Sequence, residues 1–215
     1  MKPTLVVLAA GESRRLGRCK AIEVFDGCPA IVRLLEAARA WTASSPIVVT
    51  GPDHDVISAV LPSGCRIVRN EAWKLGRSGS LAAAVRAHPD ADLMLAPVDV
   101  PLVPELVFAA LAREWIALGS PERGWLAPAL RRELALNLDL AHQGSGRPLL
   151  FGHPILIGRE LACQVSALPA DAPLWKLRER AEPLAGLEVD APEILDDIDE
   201  ESDVIRIRKR LRESR

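Results

Sequence analysis

Residues 4–20 have the sequence TLVVLAAGESRRLGRCK, in which an apolar run ends at a glycine and a cationic segment follows. The unbroken apolar run at residues 4–10 predicts a strand that is buried on both faces of a parallel sheet. The glycine and the polar residues after it predict a loop at the carboxyl end of that strand. Ligands of open α/β sheets bind at this end, so the loop is the first candidate for a binding site.

The loop has the groups that a triphosphate requires. Gly11 and Gly17 allow backbone N–H groups to approach phosphate oxygens, and Arg14, Arg15 and Lys20 supply positive charge for a leaving pyrophosphate. The spacing differs from the dinucleotide-binding G-x-G-x-x-G and from the Walker G-x-x-x-x-G-K-[ST] loop. The alternative interpretation is a glycine-containing turn whose arginines are only solvated.

The rest of the chain alternates between strand and helix patterns. Strands are predicted at residues 4–10, 46–50, 66–69, 92–97 and 155–157. Helices are predicted at residues 29–43, 55–61 and 78–87, directly after residue 157, and at residues 201–212. Strands separated by helices predict an α/β fold of three layers, a Rossmann-like, mostly parallel sheet with helices on both sides. Residues 118–148, which include a polar stretch at 143–147, have no clean period and are expected to form a variable segment that faces the substrate.

Composition and charge restrict the class of protein. The chain has 215 residues, 49% of them hydrophobic and 26% charged, which is typical of one globular domain. A net charge of −2 offers no general attraction for nucleic acid or for an anionic membrane. The four cysteines form no zinc or disulfide pattern, and the N-terminal apolar run is too short to span a bilayer, so we expect a cytoplasmic protein.

Two further segments contain polar residues at positions suited to a ligand. Ser78 and Ser80 stand at the start of a predicted helix, where hydroxyl and free N–H groups can bind polar base edges or anions, although Ser78 could be only a helix cap. Asp99 follows the strand at residues 92–97 and lies between two prolines, which fixes a carboxylate at the carboxyl end of the sheet. The alternative for Asp99 is a residue that caps a turn.

The order L-A-A-G-x-S-x-R-x-G-x-x-K in the first loop resembles the signature of MobA-like nucleoside triphosphate transferases, which include molybdenum cofactor cytidylyltransferases. The resemblance implies the nucleotide-diphospho-sugar transferase fold, of the glycosyltransferase-A type. It also implies roles for matching positions. Leu8, Ala10 and Gly11 would hold base and sugar, Arg15 would contact the triphosphate, and Lys20 would be the catalytic lysine of the loop.

Four later segments extend the resemblance. The segment at residues 70–81 resembles the family's N-x-x-W/Y-x-x-G-x-x-x-S-L element, and the segment at residues 96–103 matches the element that carries a magnesium-binding aspartate, here Asp99. The element at Gly152 and His153 resembles G-H/N-P-V-L, which lines the pocket for the acceptor or for the sugar of the nucleotide, and we expect these two residues to bind the acceptor.

The fifth match, at residues 195–203, resembles D-I-D-T-P-E-D-L and implies a second metal ligand. We favour Asp199, with Asp197 as its rival, because residues i and i+2 of an extended segment lie on one side. An acidic cap to the last helix is the alternative.

The resemblance implies a single nucleotidyltransferase domain at residues 1–215, with a nucleotide-binding half at 1–104 and an acceptor-binding half at 105–215. The expected reaction is Mg²⁺-dependent transfer of a nucleoside monophosphate, from CTP in preference, to a phosphorylated acceptor such as the molybdopterin cofactor. A partner in molybdoenzyme maturation is then expected. A sugar phosphate is the alternative acceptor, and a non-catalytic nucleotide-binding protein is the alternative of another class. A Rossmann oxidoreductase is disfavoured by the glycine spacing.

Overall fold

The computed structural model describes residues 1–137, 148–169 and 171–213. The strands are β1 Thr4–Ala9, β2 Val24–Phe25, β3 Cys28–Pro29, β4 Ile47–Thr50, β5 Arg66–Arg69, β6 Leu93–Pro97, β7 Trp125–Arg131, β8 Leu149–Phe151, β9 Ile155–Ile157 and β10 Leu184–Glu188. The helices are α1 Ala30–Ala38, α2 His54–Val60, α3 Arg77–Ala87, α4 Glu105–Ala117, α5 Arg132–Asn137, α6 Arg159–Cys163 and α7 Glu201–Glu213. Short 3₁₀ helices lie at Lys20–Ile22, Trp73–Leu75, Gln164–Ala167, Leu174–Arg180 and Pro192–Leu195.

The central sheet has the order β10-β7-β9-β6-β1-β4-β5, with β8 paired to β7. The strands from β6 to β5 are parallel, and so is the pair of β10 with β7. By contrast, β9 runs antiparallel to both of its neighbours, and β8 runs antiparallel to β7. The predicted α/β fold with a mostly parallel sheet is therefore confirmed, with antiparallel strands in its second half.

Helices cover both faces of the sheet, because side chains alternate along each strand. Leu5 and Val7 belong to one core, which α1 and α4 cover. Val6, between them, belongs to the other core, which α3 and α6 cover. This three-layer arrangement explains why β1 is apolar at consecutive positions: both of its faces are buried.

The predicted elements of the first half are present with small changes of boundary, and the predicted helix at residues 29–43 ends earlier, at Ala38. The prediction that residues 118–148 lack regular structure was wrong for β7, a seven-residue strand of the central sheet. Pro128 argued against a strand, because proline cannot donate a hydrogen bond within a sheet. Strand β7 pairs with β9 up to Leu126 and with β8 from Ala129 onward. Pro128 lies between these two pairings, so its missing N–H is tolerated. Helix α4 was also missed, and residues 143–147 lie outside the described residues.

The last helix packs against the hairpin of β2 and β3. Ile198, Val204 and Ile207 form a small separate core with Phe25 and Leu16. This core brings the C-terminal segment to the loop that follows β1. Among the described residues, no helix is both long enough and apolar enough to cross a membrane.

Candidate active site

The site lies where β1 and β6 end side by side. Leu8 is in register with Pro97, and the amide of Val98 donates a hydrogen bond to the carbonyl of Leu8 at 3.1 Å. The loop after β1 and the turn that contains Asp99 therefore meet at the carboxyl edge of the sheet. The amide of Ile198 donates to the carbonyl of Asp99 at 2.7 Å, which attaches the C-terminal segment to the same place.

The loop after β1 forms a compact turn. Gly17 has a φ of +74°, in the left-handed region that glycine favours, and its amide donates to the carbonyl of Ser13 at 3.0 Å. Ser13 itself has a φ of +50°, and its hydroxyl accepts a hydrogen bond from the amide of Lys20 at 3.3 Å. Ser13 thus sets the position from which the Lys20 side chain extends. We did not assign it a role from the sequence, although it is the serine of the L-A-A-G-x-S motif.

Two cations of the loop converge on Asp199, a pairing that was not predicted from the sequence. Lys20 Nζ lies 2.9 Å from Asp199 Oδ1 and donates to the Ile198 carbonyl at 2.6 Å, and Arg15 also bonds the Asp199 carboxylate. Burial opposes ionisation of Asp199, but the hydrogen bonds and charges of Lys20 and Arg15 outweigh it and lower the pKa of that carboxyl. Asp199 therefore stays charged at neutral pH.

Arg14, the third predicted cation, does not line the cavity at the strand ends. Its Nε bonds the Glu12 carboxylate at 2.5 Å and its side chain is 76% exposed. With Arg15, Lys20 and Asp199 it lines a further cavity, of about 460 Å³, that adjoins the first. Its predicted contact with nucleotide stays a prediction.

Asp99 has a cationic partner that sequence reasoning missed. Arg77, the first residue of α3, donates from Nη2 to Asp99 Oδ2 at 3.0 Å. The Asp99 side chain is only 14% exposed, whereas that of Arg77 is 60% exposed. Arg77 followed the glycine of the second motif, but nothing local in the sequence indicated that it would reach Asp99.

Asp197 is part of the same acidic cluster. Partial desolvation, together with the charges of Asp199, Asp99 and Asp203, raises the pKa of its carboxyl. Asp99 and Asp199 line the cavity at the strand ends, but Asp197 does not. The geometry therefore favours Asp199 over its rival Asp197 as the second metal ligand, and the metal role of either stays a prediction.

The two serines of α3 have different surroundings. Ser80 lines the cavity at the strand ends, and its hydroxyl accepts a hydrogen bond from Asn70 Nδ2 at 3.1 Å. Ser78 is buried and donates to the carbonyl of Ala172 at 2.5 Å. It lies outside that cavity and tethers the segment that precedes the 3₁₀ helix Leu174–Arg180. The geometry thus favours Ser80 and not Ser78 as a nucleotide contact.

The first cavity, of about 300 Å³, contains most of the predicted nucleotide-binding residues. The loop after β1 and the start of α3 both contribute to its lining. Its polar and charged lining comprises Ser13, Arg15, Lys20, Arg77, Ser80, Asp99 and Asp199. Leu8, Ala10 and Gly11 line the same cavity, and a Cβ at Gly11 would meet nothing within 4 Å. The protein itself would therefore accommodate a side chain at residue 11, and the absence of one leaves that space for a ligand.

A second cavity, of about 450 Å³, adjoins the first through Gly76 and Arg77, which line both. Its walls are largely aromatic and apolar: Trp125, Ala127, Phe151, Ile155, Pro173, Leu174 and Trp175. The predicted acceptor residues Gly152 and His153 line it as well.

Gly152 and His153 contribute to the second cavity in different ways. A Cβ at Gly152 would lie 2.3 Å from the carbonyl of Ile194, so only glycine allows this close approach. His153 Nδ1 is buried and has no hydrogen bond among the described residues. Burial and the charge of Arg77 lower the pKa of His153 to about 4, although Asp99 opposes them. The imidazole is therefore neutral at pH 7.

Helix α7 holds the acidic segment in place. Asp196 is fully buried and bonds two arginines of α7: Arg206 at 2.8 Å, and Arg210. Asp203 accepts hydrogen bonds from the amides of Asp199 and Glu200, both at 2.9 Å, and so caps the helix. The interpretation of this segment as an acidic helix cap is thus correct for Asp203, while Asp199 faces the cavity.

The donor groups present suit a hard divalent cation. Among the described residues no cluster of three His, Cys, Asp or Glu side chains could form a complete metal cage. Mg²⁺ does not need one, because it commonly binds one or two carboxylates and completes its shell with water and substrate phosphates. Asp99 and Asp199 provide two such carboxylates in the lining of the first cavity.

Comparison with known proteins gives a family match. The family model described as the MobA-like NTP transferase domain matches residues 5–184. The bifunctional protein GlmU of Methylobacillus flagellatus is 30% identical over 120 residues, which cover 54% of this chain and 26% of that protein. The chain thus matches about a quarter of the length of this relative.

Solved structures share the fold at lower identity. Rv0371c from Mycobacterium tuberculosis H37Rv has 24% identity and a TM-score of 0.73, over 97% of this chain and 99% of that one. A complex of the same mycobacterial protein with manganese has 23% identity and a TM-score of 0.72, over 97% and 99%. Molybdopterin-guanine dinucleotide biosynthesis protein A from Archaeoglobus fulgidus has 18% identity and a TM-score of 0.68, over 98% and 99%.

Proposed function

This chain belongs to the family of MobA-like NTP transferase domains and is a nucleotidyltransferase, and from that premise we propose that it transfers CMP from CTP to a phosphorylated acceptor such as molybdopterin. The main support for this proposal is that Lys20 and Arg15 meet Asp199 in a cavity that Asp99 also lines. Cations and carboxylates together are what a metal-bound triphosphate requires.

The first cavity would hold the nucleoside triphosphate. Arg15 and Lys20 would bind the β- and γ-phosphates, where charge grows as pyrophosphate leaves. Leu8, Ala10, Gly11 and Ser80 would surround the base and sugar. The preference for CTP rests on the L-A-A-G sequence at residues 8–11, which resembles the cytidylyl-transferring members of the family more than the L-A-G-G of guanylyl-transferring ones.

A magnesium ion bound by Asp99 and Asp199 would neutralise phosphate charge during transfer. The side chains that would contact the metal and the phosphates are already fixed in position. Asp99 is held by main-chain and side-chain contacts before any ligand binds, and Lys20 is held by the Ile198 carbonyl. Such preorganisation avoids the cost of ordering these groups during the reaction.

The second cavity would hold the acceptor. An oxygen of the acceptor phosphate would attack the α-phosphorus, the bond from that phosphorus to the bridging oxygen of the β-phosphate would break, and pyrophosphate would leave. No protein nucleophile is needed. The two adjoining cavities support this geometry, because Arg77 and Gly76 line both and mark the point where the two substrates would meet.

The proposal is tested by pyrophosphate release from each of the four nucleoside triphosphates, with and without Mg²⁺, against a panel of molybdopterin and sugar 1-phosphates. We expect release with CTP and molybdopterin. Release with a sugar phosphate and none with molybdopterin would assign the alternative acceptor, and a molybdoenzyme-maturation partner would then not be expected. Nucleotide binding without any release, over the whole panel, would favour the non-catalytic alternative.

A further inference from the structure

The second cavity contains an arginine that the described residues leave unsatisfied. Arg178, in the 3₁₀ helix Leu174–Arg180, is half-buried and lines this cavity but not the first. Its Nε is buried without a hydrogen bond, and no hydrogen bond or ion pair joins its side chain to any described residue. Because an unpaired buried donor costs free energy, an arginine of this kind normally has a partner.

The side chain is nevertheless held in place. Its guanidinium carbon lies 5.6 Å from the centroid of the Phe151 ring, a cation–π contact. Phe151 lies over Gly186 of β10, where a Cβ would come within 2.6 Å of the ring, so glycine makes room for it. This contact uses none of the N–H groups of the guanidinium as a hydrogen-bond donor to oxygen, so they are available to an acceptor group of a ligand.

No carboxylate among the described residues pairs with the guanidinium of Arg178. Asp171 lines the same cavity, but no ion pair joins it to Arg178 among the described residues. Arg77, the other arginine of this cavity, already bonds Asp99. A second unpaired nitrogen, His153 Nδ1, also lies in the cavity lining. The walls between these groups are apolar and aromatic, so the cavity suits a compound with a ring and polar groups at its edge.

We propose that Arg178 binds a second hydrogen-bond-accepting group of the acceptor, a carboxylate or a carbonyl, which is distinct from the phosphate that attacks. This inference rests on the proposed function, because it takes the second cavity as the acceptor site. The group at Arg178 is not the attacking phosphate, since Arg178 does not line the cavity that contains Asp99 and Lys20. The acceptor is therefore a ring compound with polar groups at two positions, and Arg178 selects it against simpler phosphates.

The test measures the affinity of three probes: phenyl phosphate, 4-carboxyphenyl phosphate and 4-carbamoylphenyl phosphate. Binding is followed by calorimetric titration of the full chain with Mg²⁺ and a CTP analogue that has a methylene group between the α- and β-phosphorus and cannot transfer. We expect the wild type to bind a substituted probe about tenfold more tightly than phenyl phosphate, since hydrogen bonds to a charged donor are the strong ones. Preference for the carboxylate or for the amide probe identifies the group.

Two variants and a control locate the effect. Arg178→Met keeps an apolar stem against Phe151 but removes the donors, and Arg178→Ala removes both. Each should lose the preference, and Arg178→Met, which keeps the stem, should bind phenyl phosphate about as tightly as the wild type. Arg180→Ala, at an exposed arginine of the same 3₁₀ helix that does not line the cavity, should keep it. A preference that survives in Arg178→Met, or a wild type that binds the three probes equally or not at all, would overturn the inference.

The same titrations without nucleotide separate this inference from the proposed function. If no triphosphate binds or releases pyrophosphate but the Arg178-dependent preference persists, the proposed function is wrong and the second cavity is still an anion or carbonyl site. If pyrophosphate is released and the preference is absent, only the role of Arg178 is wrong.

Discussion

Arg77 Nη2 lies 3.0 Å from Asp99 Oδ2, so the carboxylate proposed to bind metal already has a cationic partner. Arg77→Ala should remove this competition and lower the Mg²⁺ concentration needed for half-maximal nucleotide binding. The change should be about two- to fivefold, because an ion pair with one largely exposed member contributes at most about 1 kcal/mol. A fluorescence or calorimetric titration of the CTP analogue at a series of Mg²⁺ concentrations measures it.

Arg69→Ala is the matched control for Arg77→Ala. Arg69 is also exposed and pairs with a carboxylate, that of Glu71 at 3.0 Å, but it does not line either cavity. Its loss should leave the Mg²⁺ requirement unchanged. An unchanged or higher requirement in Arg77→Ala would mean that Arg77 does not compete with metal at Asp99.

Asp99→Asn tests the metal role most directly. Asparagine keeps the shape of the side chain, and the main-chain bond from the Ile198 amide to residue 99 is retained. We expect an unchanged melting temperature without ligand and a loss of transfer of about 10²-fold or more, the scale of a preorganised charge in a transition state. The measurement is pyrophosphate release over a Mg²⁺ titration beside a melting curve. Near-native activity would refute the metal role, and a lowered melting temperature with activity intact would favour a turn cap.

Arg15→Ala and Lys20→Ala should each lower turnover by about 10²-fold or more if these cations stabilise the leaving pyrophosphate. The structure separates their effects on folding. Arg15 is 69% exposed, so its loss should hardly change stability, whereas Lys20 is 14% exposed and bonds the Ile198 carbonyl. Lys20→Ala should therefore also cost about 1–2 kcal/mol of unfolding free energy.

Arg18→Ala is the control for both cations, because it removes a charge of the same loop that does not line the cavities that contain Arg15 and Lys20. Turnover at saturating substrate and denaturant unfolding are measured for all three variants. Full activity in Lys20→Ala would contradict the assignment of this lysine, and a loss in Arg18→Ala equal to that in Arg15→Ala would show a general effect of loop charge.

Ser80→Ala and Ser78→Ala should affect the binding of different substrates. Ser80 lines the first cavity, so its loss should weaken nucleotide binding several-fold and lower the turnover at saturating nucleotide less. Ser78 bonds the Ala172 carbonyl beside the second cavity, so its loss should raise the KM of the acceptor and leave that of the nucleotide unchanged. Steady-state kinetics with each substrate varied in turn distinguishes them. An effect of Ser80→Ala confined to turnover would contradict its binding role.

His153 should make the protein less stable in mild acid. Its folded pKa is lowered to about 4 from 6.5, by burial and by Arg77 against the opposing charge of Asp99. Between pH 6.5 and about 4 the unfolded chain therefore binds a proton that the folded chain does not, so stability falls as the pH falls through this window. The contribution is about 2–3 kcal/mol over the window, since one pKa unit corresponds to about 1.4 kcal/mol.

Urea unfolding between pH 7 and pH 4, in the presence of a chelator, compares the wild type with His153→Gln. On acidification the unfolding free energy of the variant should fall by about 2–3 kcal/mol less than that of the wild type. His88→Gln, at an exposed histidine, is the control and should follow the wild type. Parallel curves for the wild type and His153→Gln would show that His153 is not held neutral by the fold.

Local sequence was sufficient to predict the first half of the fold and the general position of the site. The apolar run of β1, the glycine after it and the cations that follow lie within seventeen residues, and their order carries both the strand and the loop. Asp99 was predicted for the same reason, because it directly follows β6. Strand patterns, turns and helix starts are determined by neighbours in the chain, so they can be recognised from the sequence alone.

The pairings that complete the site were decided by the tertiary structure. Lys20 and Asp199 are 179 positions apart, and Arg77 reaches Asp99 from the start of another helix. A resemblance to known motifs implied the role of Asp199, but nothing in the sequence pointed to Arg77 or to the arginines of α7 that bond Asp196. Such contacts depend on how whole elements pack. β7 illustrates the same limit, since its proline is acceptable only because two different strands pair on either side of it.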